Sequence, residues 1–352
     1  MYSMPHRIKL PRAGFGVHIT DKPIEQALPE LVRSGFSHIE IDIGAPVHRL
    51  ETWTDKRINN VTALTEKHGV TLSIHTPHTM NLAECMPTVQ FAQIEYHHNA
   101  IRLAAQLKAK WMTLHLGFYN GLASWKWYRS KTLEHLIHSL KEIMQWSKLY
   151  SVPIAIENMR SLPENGEFFY LGDNIGDLQW LMQRVTFSNF HLCLDLAAAA
   201  MGEGVQKYLK TFSNRITLIR VRDTSGIVDD SKHTPLIKWK QLTDALISMN
   251  YSGTIVLETY SVKPLLMYQR FVDYLEKGRI SAAHKNNDRP VNNKKSAGKK
   301  TKKTQTVKKT ARKKTKPAAK KKNTVKKSTR KKTAAARKIT SSRVQKKKTR
   351  RS

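Results

Sequence analysis

Pro153-Ile154-Ala155-Ile156-Glu157-Asn158-Met159 is the stretch on which the reading of this chain turns. An apolar run with β-branched character and no polar alternation describes a strand buried on both faces, the habit of parallel sheets. The run then meets a carboxylate and an amide. A charge at the end of such a strand costs several kcal/mol unless it is paired or binds a cation. Taken alone, Glu157 reads as a salt-bridged carboxylate at a sheet edge. What changes that reading is recurrence.

Further short strand-like stretches occupy Gly14–Ile19, residues 38–43, Thr71–His75, residues 111–115, Phe190–Asp195, residues 216–221 and Thr254–Glu258. Amphipathic stretches between them predict helices near residues 23–34, 54–68, 87–110, 132–149, 173–184, 197–212 and 236–249, with a closing helix at 264–275. Strict alternation implies a parallel sheet. Eight such units fit a closed (β/α)8 TIM barrel, typically ~250 residues, better than an open doubly wound sheet. No Gly-x-Gly-x-x-Gly turn follows a strand, so a dinucleotide site has no support.

The chain of 352 residues has a formal charge of +34, unevenly distributed. Residues 285–352 carry 30 of the 61 Lys and Arg and a single acid, Asp288, for a net +29; residues 1–284 are left with +5. The expected organisation is therefore a barrel over 1–284 and a disordered, Lys/Arg-rich tail over 285–352, where no Phe, Trp or Tyr occurs. Such a tail binds nucleic acid by displacing counterions, and without aromatics it does so without sequence preference. Lys308, Lys309, Arg312, Lys313, Lys314, Lys331, Lys332, Arg337 and Lys338 represent its densest clusters. Two cysteines, Cys85 and Cys193, make no disulfide framework and suggest a reducing compartment. Neither a secretory signal nor a membrane span of roughly 18 apolar residues is visible. The expectation is a cytoplasmic, nucleoid-associated protein, or a nuclear one in a eukaryote.

Barrels of this kind build their sites at the C-terminal ends of the strands. Those positions read His75, His115, Glu157, Asp195 and Glu258, with His233 in the loop beyond strand 7. Two imidazoles and three carboxylates converging in one mouth predict a divalent metal centre of one or two ions, Zn²⁺, Mn²⁺ or Mg²⁺. After strand 4 come Phe118, Tyr119, Trp125, Trp127 and Tyr128, with Lys126 and Arg129 interleaved. These aromatics either form a lid that stacks on a sugar or base, or open helix 4 and pack on the barrel.

Ser73-Ile74-His75-Thr76-Pro77, Thr113-Leu114-His115-Leu116-Gly117, Ile156-Glu157-Asn158-Met159, Cys193-Leu194-Asp195 and Leu257-Glu258-Thr259 resemble the xylose isomerase-like barrel superfamily over residues 13–276. That group, AP endonuclease family 2 among its names, includes sugar and sugar-phosphate isomerases and epimerases as well as endonuclease IV, which cleaves DNA at abasic sites. His75-Thr76-Pro77-His78 through Asn81-Leu82-Ala83 is similar to a segment shared by both branches. The resemblance also marks departures. The family's strand-7 histidine ligand is replaced in Ile219-Arg220-Val221-Arg222-Asp223, with Arg220 in its place. Endonuclease IV has a histidine where this chain has Ala198, and an aspartate where Ser231 precedes His233. A guanidinium cannot ligate a metal. Arg220 either pairs with a carboxylate or binds a substrate phosphate.

The resemblance implies first a metal-dependent isomerase or epimerase of a small sugar or sugar phosphate, with Glu157 and Glu258 as proton-transfer carboxylates that also touch the metal. His75, His115 and Asp195 complete the ligands, and Arg220, Asn158, Trp125 and Trp127 are the expected substrate contacts. The alternative is an abasic-site endonuclease, and a further one a non-catalytic DNA-associated scaffold with a degenerate metal site. The tail would tether any of these to DNA or RNA.

Overall fold

The computed structural model describes residues 14–120, 126–162, 168–222, 228–229, 234–235 and 239–258. The chain divides into two units, Met1–Val291 and Asn292–Ser352, and every described residue lies in the first. The tail, the closing helix expected at 264–275, His233 and Trp125 fall outside the described residues.

Eight parallel strands close on themselves: β1 (Gly14–Ile19), β2 (His38–Asp42), β3 (Thr71–His75), β4 (Met112–Leu114), β5 (Ile154–Glu157), β6 (Phe190–Asp195), β7 (Ile216–Arg222) and β8 (Thr254–Glu258). Each pairs with its neighbours in sequence, and β8 returns to β1 with Glu258 opposite His18. The fold is the expected (β/α)8 TIM barrel.

Strand alternation sorts the side chains into two layers. On β5 to β8 the outward set includes Ile154, Ile156, Leu192, Leu194, Ile219, Val221, Ile255 and Leu257, all buried in the main core with helix residues. The inward set gives Ala155, Cys193, Leu218 and Val256, which pack with Trp111 into a separate apolar cluster. Two residues further along the same strands the inward positions are Glu157, Asp195, Arg220 and Glu258. An apolar plug thus lies below a charged layer, and the charged layer opens at the mouth.

Helix boundaries, those of α1 (Ile24–Arg33) and α5 (Ile175–Arg184) included, follow local backbone chemistry. Helix α2 (Asp55–His68) starts where the Thr54 hydroxyl accepts from Arg57 N and stops at left-handed Gly69. Helix α3 (Pro87–Gln106) ends before the expected 110 because Lys108 takes φ +54°. The helix expected through residue 212 is two, α6 (Leu196–Met201) and α7 (Val205–Phe212), separated at Gly202 and Gly204, the latter with φ +93°. Helix α4 (Lys126–Tyr150) begins six residues before the expected 132, so Trp127 and Tyr128 lie on helical backbone.

Candidate active site at the barrel mouth

Two short antiparallel strands, Phe118–Asn120 after β4 and Phe168–Tyr170 after β5, form one wall of the mouth. Phe118 meets Phe168 edge-on and Tyr119 stacks on Phe169. Gly117 makes this wall possible. Its φ is +104°, and an added Cβ would come 2.2 Å from Asn81 Oδ1, the oxygen that accepts from Phe118 N at 3.0 Å. Below lies a cavity of about 500 Å³. Its lining includes the polar His75, His115, Asp195, Arg222 and Glu258 as well as Met159, Tyr170, Ala197, Ala198 and Met201.

Among the described residues, His75, His115 and Glu157 bring three donor atoms close enough to share an ion. The Nε2 atoms of His75 and His115 lie 3.1 and 3.2 Å from the same oxygen, Glu157 Oε2, with the two rings perpendicular. Donors bound tetrahedrally at ~2.1 Å to zinc are ~3.4 Å from one another; Glu157 already stands near that spacing from both imidazoles, and all three donor atoms lie within 4.8 Å of one another. His115 Nε2, though near Oε2, has no aligned hydrogen bond there. Burial, then the Arg220 charge, lowers the pKa of His75, which favours the neutral ring a metal requires. These residues fit one divalent ion.

The remaining carboxylates do not fit a second. Arg220 places Nη2 2.7 Å from Glu40 Oε2, Nε 3.1 Å from Glu157 Oε1 and Nη1 3.4 Å from Glu258 Oε2. Arg222 places Nε 2.5 Å from Asp195 Oδ2 and 3.3 Å from Glu258 Oε2, and Nη2 3.4 Å from Glu157 Oε1. The two arginines are two apart on β7, hence on one face, and the register sets Arg220 opposite Asp195 and Arg222 opposite Glu258. Guanidinium already occupies the space between these carboxylates.

Burial acts to raise the carboxyl of Glu157, but Arg220 and the two imidazoles outweigh it and hold the group well below its usual range. Asp195 goes the other way: burial lifts it to about 6 despite Arg222. Its Oδ1 also caps α6 by accepting from Ala198 N at 2.9 Å. Asn158, expected as a substrate contact, lines the cavity and clamps β5 to β6, donating to Asp195 O at 3.2 Å and accepting from Asp195 N at 2.7 Å.

Arg220 is only 1% exposed and lies beneath the cavity, so of its two expected roles the structure displays the pairing one. Glu157 is also fully buried. Three groups escaped the sequence reading. His18 puts Nδ1 3.0 Å from Glu40 and Nε2 3.5 Å from Asp42. Burial lowers its pKa, but hydrogen bonds to both carboxylates outweigh this and lift it to about 9. Glu40 accepts from Thr113 Oγ1 at 3.1 Å as well. Arg222 is the third. For Glu40 and Arg222 the signal was the polar residue at every second place in His38-Ile39-Glu40-Ile41-Asp42 and in Arg220-Val221-Arg222, which describes a strand with a charged inner face.

A family model described as xylose isomerase-like TIM barrel matches residues 28–278, well over half of the chain. The chain belongs to the xylose isomerase-like TIM-barrel family. Two uncharacterized proteins of Methanocaldococcus jannaschii are similar to it. One is 23% identical over 218 residues, covering 60% of this chain and 76% of the relative. The other is 21% identical over 268 residues, covering 71% and 86%. Among solved structures of this barrel type, a D-tagatose 3-epimerase-like protein superposes with a TM-score of 0.65 at 21% identity, over 76% of this chain and 99% of that one. An L-ribulose 3-epimerase gives 0.62 at 14%, over 80% and 100%. A D-psicose 3-epimerase of Clostridium cellulolyticum H10 gives 0.60 at 14%, over 78% and 98%. At these identities the likeness is one of fold. No helix among the described residues is long and apolar enough to cross a membrane.

Proposed function

We propose that the barrel is an isomerase or epimerase of a small sugar or sugar phosphate, acting at a carbon next to a carbonyl. The observation that carries this is the pair of carboxylates, Asp195 and Glu258, lining a cavity of about 500 Å³ that His75 and His115 of the His75–His115–Glu157 trio also line. Epimerases among the structural neighbours support the substrate class. Asp195, with its pKa near 6, is suited to taking and returning a proton near neutral pH. Glu258 is its partner carboxylate. Glu157, paired and buried, holds a divalent ion with the two imidazoles. When bound, that ion polarises a carbonyl or hydroxyl oxygen. Asn158 keeps the Asp195 backbone in register, and Met159, Tyr170 and Met201 supply an apolar side for the C–H face of a sugar.

The test is proton exchange at the α-carbon. Full-length protein with Mn²⁺, Mg²⁺ or Zn²⁺ is incubated in deuterium oxide with ketopentoses, ketohexoses and their phosphates, and exchange is followed by NMR. Exchange by the wild type that drops at least 100-fold in Glu258→Gln and Asp195→Asn is expected. No exchange with any of these substrates, alongside incision of a duplex containing one abasic site, would transfer the assignment to the endonuclease branch. That branch is the less supported reading, because guanidinium groups stand among the carboxylates it would use.

The tail extends the proposal. A net +29 over 68 residues supports a salt-sensitive tether to DNA or RNA without sequence preference. Retention on DNA that is lost at high salt and abolished by truncation after residue 284 is expected. Equal retention by the truncated chain would remove the tether from the proposal.

A further inference from the structure

The space between Glu157, Asp195 and Glu258 is filled from a single strand. Arg220 and Arg222 both project inward from β7, yet they differ in what they can reach. Arg220 is 1% exposed and spends its three nitrogens on Glu40, Glu157 and Glu258. The side chain of Arg222 is 30% exposed and lines the cavity. Its Nε faces Asp195 and Glu258 and its Nη2 faces Glu157, while Nη1 has no partner among the described residues. A guanidinium carries five N–H donors in a fixed plane and keeps its charge at any ordinary pH. With Nη2 hydrogen-bonded to Glu157 and Nε ion-paired with Asp195 but without an aligned hydrogen bond there, the guanidinium is held against the carboxylates and Nη1 is left as a donor on a side chain that lines the cavity.

We infer that the guanidinium of Arg222 stands in place of a second divalent ion among Glu157, Asp195 and Glu258, and that its Nη1 donates to a substrate oxygen. This rests on the carbonyl chemistry proposed above. In that reaction the α C–H bond breaks, its proton passes to Asp195 or Glu258, and the electron pair forms a C=C bond as the carbonyl oxygen becomes an enolate oxygen. Arg222 donates a hydrogen bond to that oxygen, where the negative charge has gathered. Reprotonation of carbon, on the opposite face or at the neighbouring position, returns the proton and restores a carbonyl. No oxidant or reductant is needed. A fixed donor aimed at charge that develops during reaction is worth about 100- to 1,000-fold in kcat.

Full-length protein, stripped with a chelator, is titrated with Mn²⁺ while free ion is read by its electron paramagnetic resonance. Wild type should bind one equivalent, and His115→Ala none. Arg222→Lys, which keeps a cation, should still bind one. Arg222→His, which offers an imidazole beside Asp195 and Glu258, should bind two, with circular dichroism checking the fold of each variant. Two equivalents in the wild type would overturn the inference, as would a folded Arg222→His that gains none. Zero in the wild type and one in Arg222→His would sink the His75–His115–Glu157 ion while leaving Arg222 as the resident cation. In the exchange assay, Arg222→Met should lower kcat about 100-fold with KM changed much less, and Arg222→Lys should recover part of the loss. An unchanged kcat in Arg222→Met would refute its contact with the substrate oxygen.

Discussion

Replacing Arg220 with Met tests whether the mouth is held together by charge compensation. The substitution keeps an apolar stem but removes the guanidinium that sits 2.7 Å from Glu40 and 3.1 Å from Glu157, both fully buried. Removing one partner of a buried ion pair costs about 3–5 kcal/mol, because the other charge stays behind without compensation. The lower end applies, since His18 still faces Glu40, and His75 and Arg222 still face Glu157. A loss of about 3 kcal/mol in a domain of this size lowers Tm by about 6–12 °C. The effect also has a pH signature. Burial alone would raise Glu40, but Arg220 foremost and His18 after it hold its carboxyl below the ordinary 4.5. A depressed carboxylate contributes stability that is present above the unfolded value and lost as pH falls. The gap between wild type and variant must therefore narrow below about pH 4.5. Adding Glu40→Gln to Arg220→Met should recover part of the loss, since both members of the pair are then gone. Thermal scans from about pH 3 to pH 8 decide it. A Tm within 2 °C of wild type, or a gap that does not depend on pH, would refute the reasoning.

Gly117→Ala should cost at least about 1 kcal/mol, from the φ of +104° together with the 2.2 Å approach to Asn81 Oδ1. It should lower kcat/KM for α-exchange by displacing the wall that carries Tyr170; unchanged Tm and exchange would show that the turn tolerates a side chain. His97 is fully buried, with Nδ1 2.7 Å from Gln93 O, and burial pushes its pKa down to about 4. Its unfolded form takes a proton near 6.5 and its folded form only near 4, so urea-measured stability should fall between these values by ~1.4 kcal/mol per pH unit from this group. His97→Gln should flatten that slope, and an identical slope in the variant would show that other groups set it.

Much of the barrel was legible because its signal is local. Runs such as Ile154-Ala155-Ile156 mark strands buried on both sides whatever the rest of the chain does, alternation such as His38-Ile39-Glu40-Ile41-Asp42 marks others, and the eight observed strands fall where the one or the other occurs. His75, His115, Glu157, Asp195 and Glu258 were legible for the same reason, as polar residues that end apolar runs. The helix breaks were harder. Leu196–Met201 and Val205–Phe212 read as one amphipathic stretch, and only the backbone at Gly204 divides them. The wall strands are three residues long and pair across about fifty positions, so neither has a pattern of its own to read.

What sequence could not supply was the assignment of partners. Glu40 and Arg220 are separated by 180 positions, and only closure of the barrel, β8 against β1 against β2, sets them 2.7 Å apart. Read along the chain, Arg220 is a lost ligand. In the closed barrel it is one of two cations delivered by alternate positions of one strand. A second imidazole site needs one histidine, whereas this arrangement needs Arg220 below, Arg222 above and Glu40 on the opposite side to hold Arg220. The three residues therefore form a unit, and changing Arg220 alone to histidine would remove the guanidinium that pairs with buried Glu40 rather than create a metal ligand set.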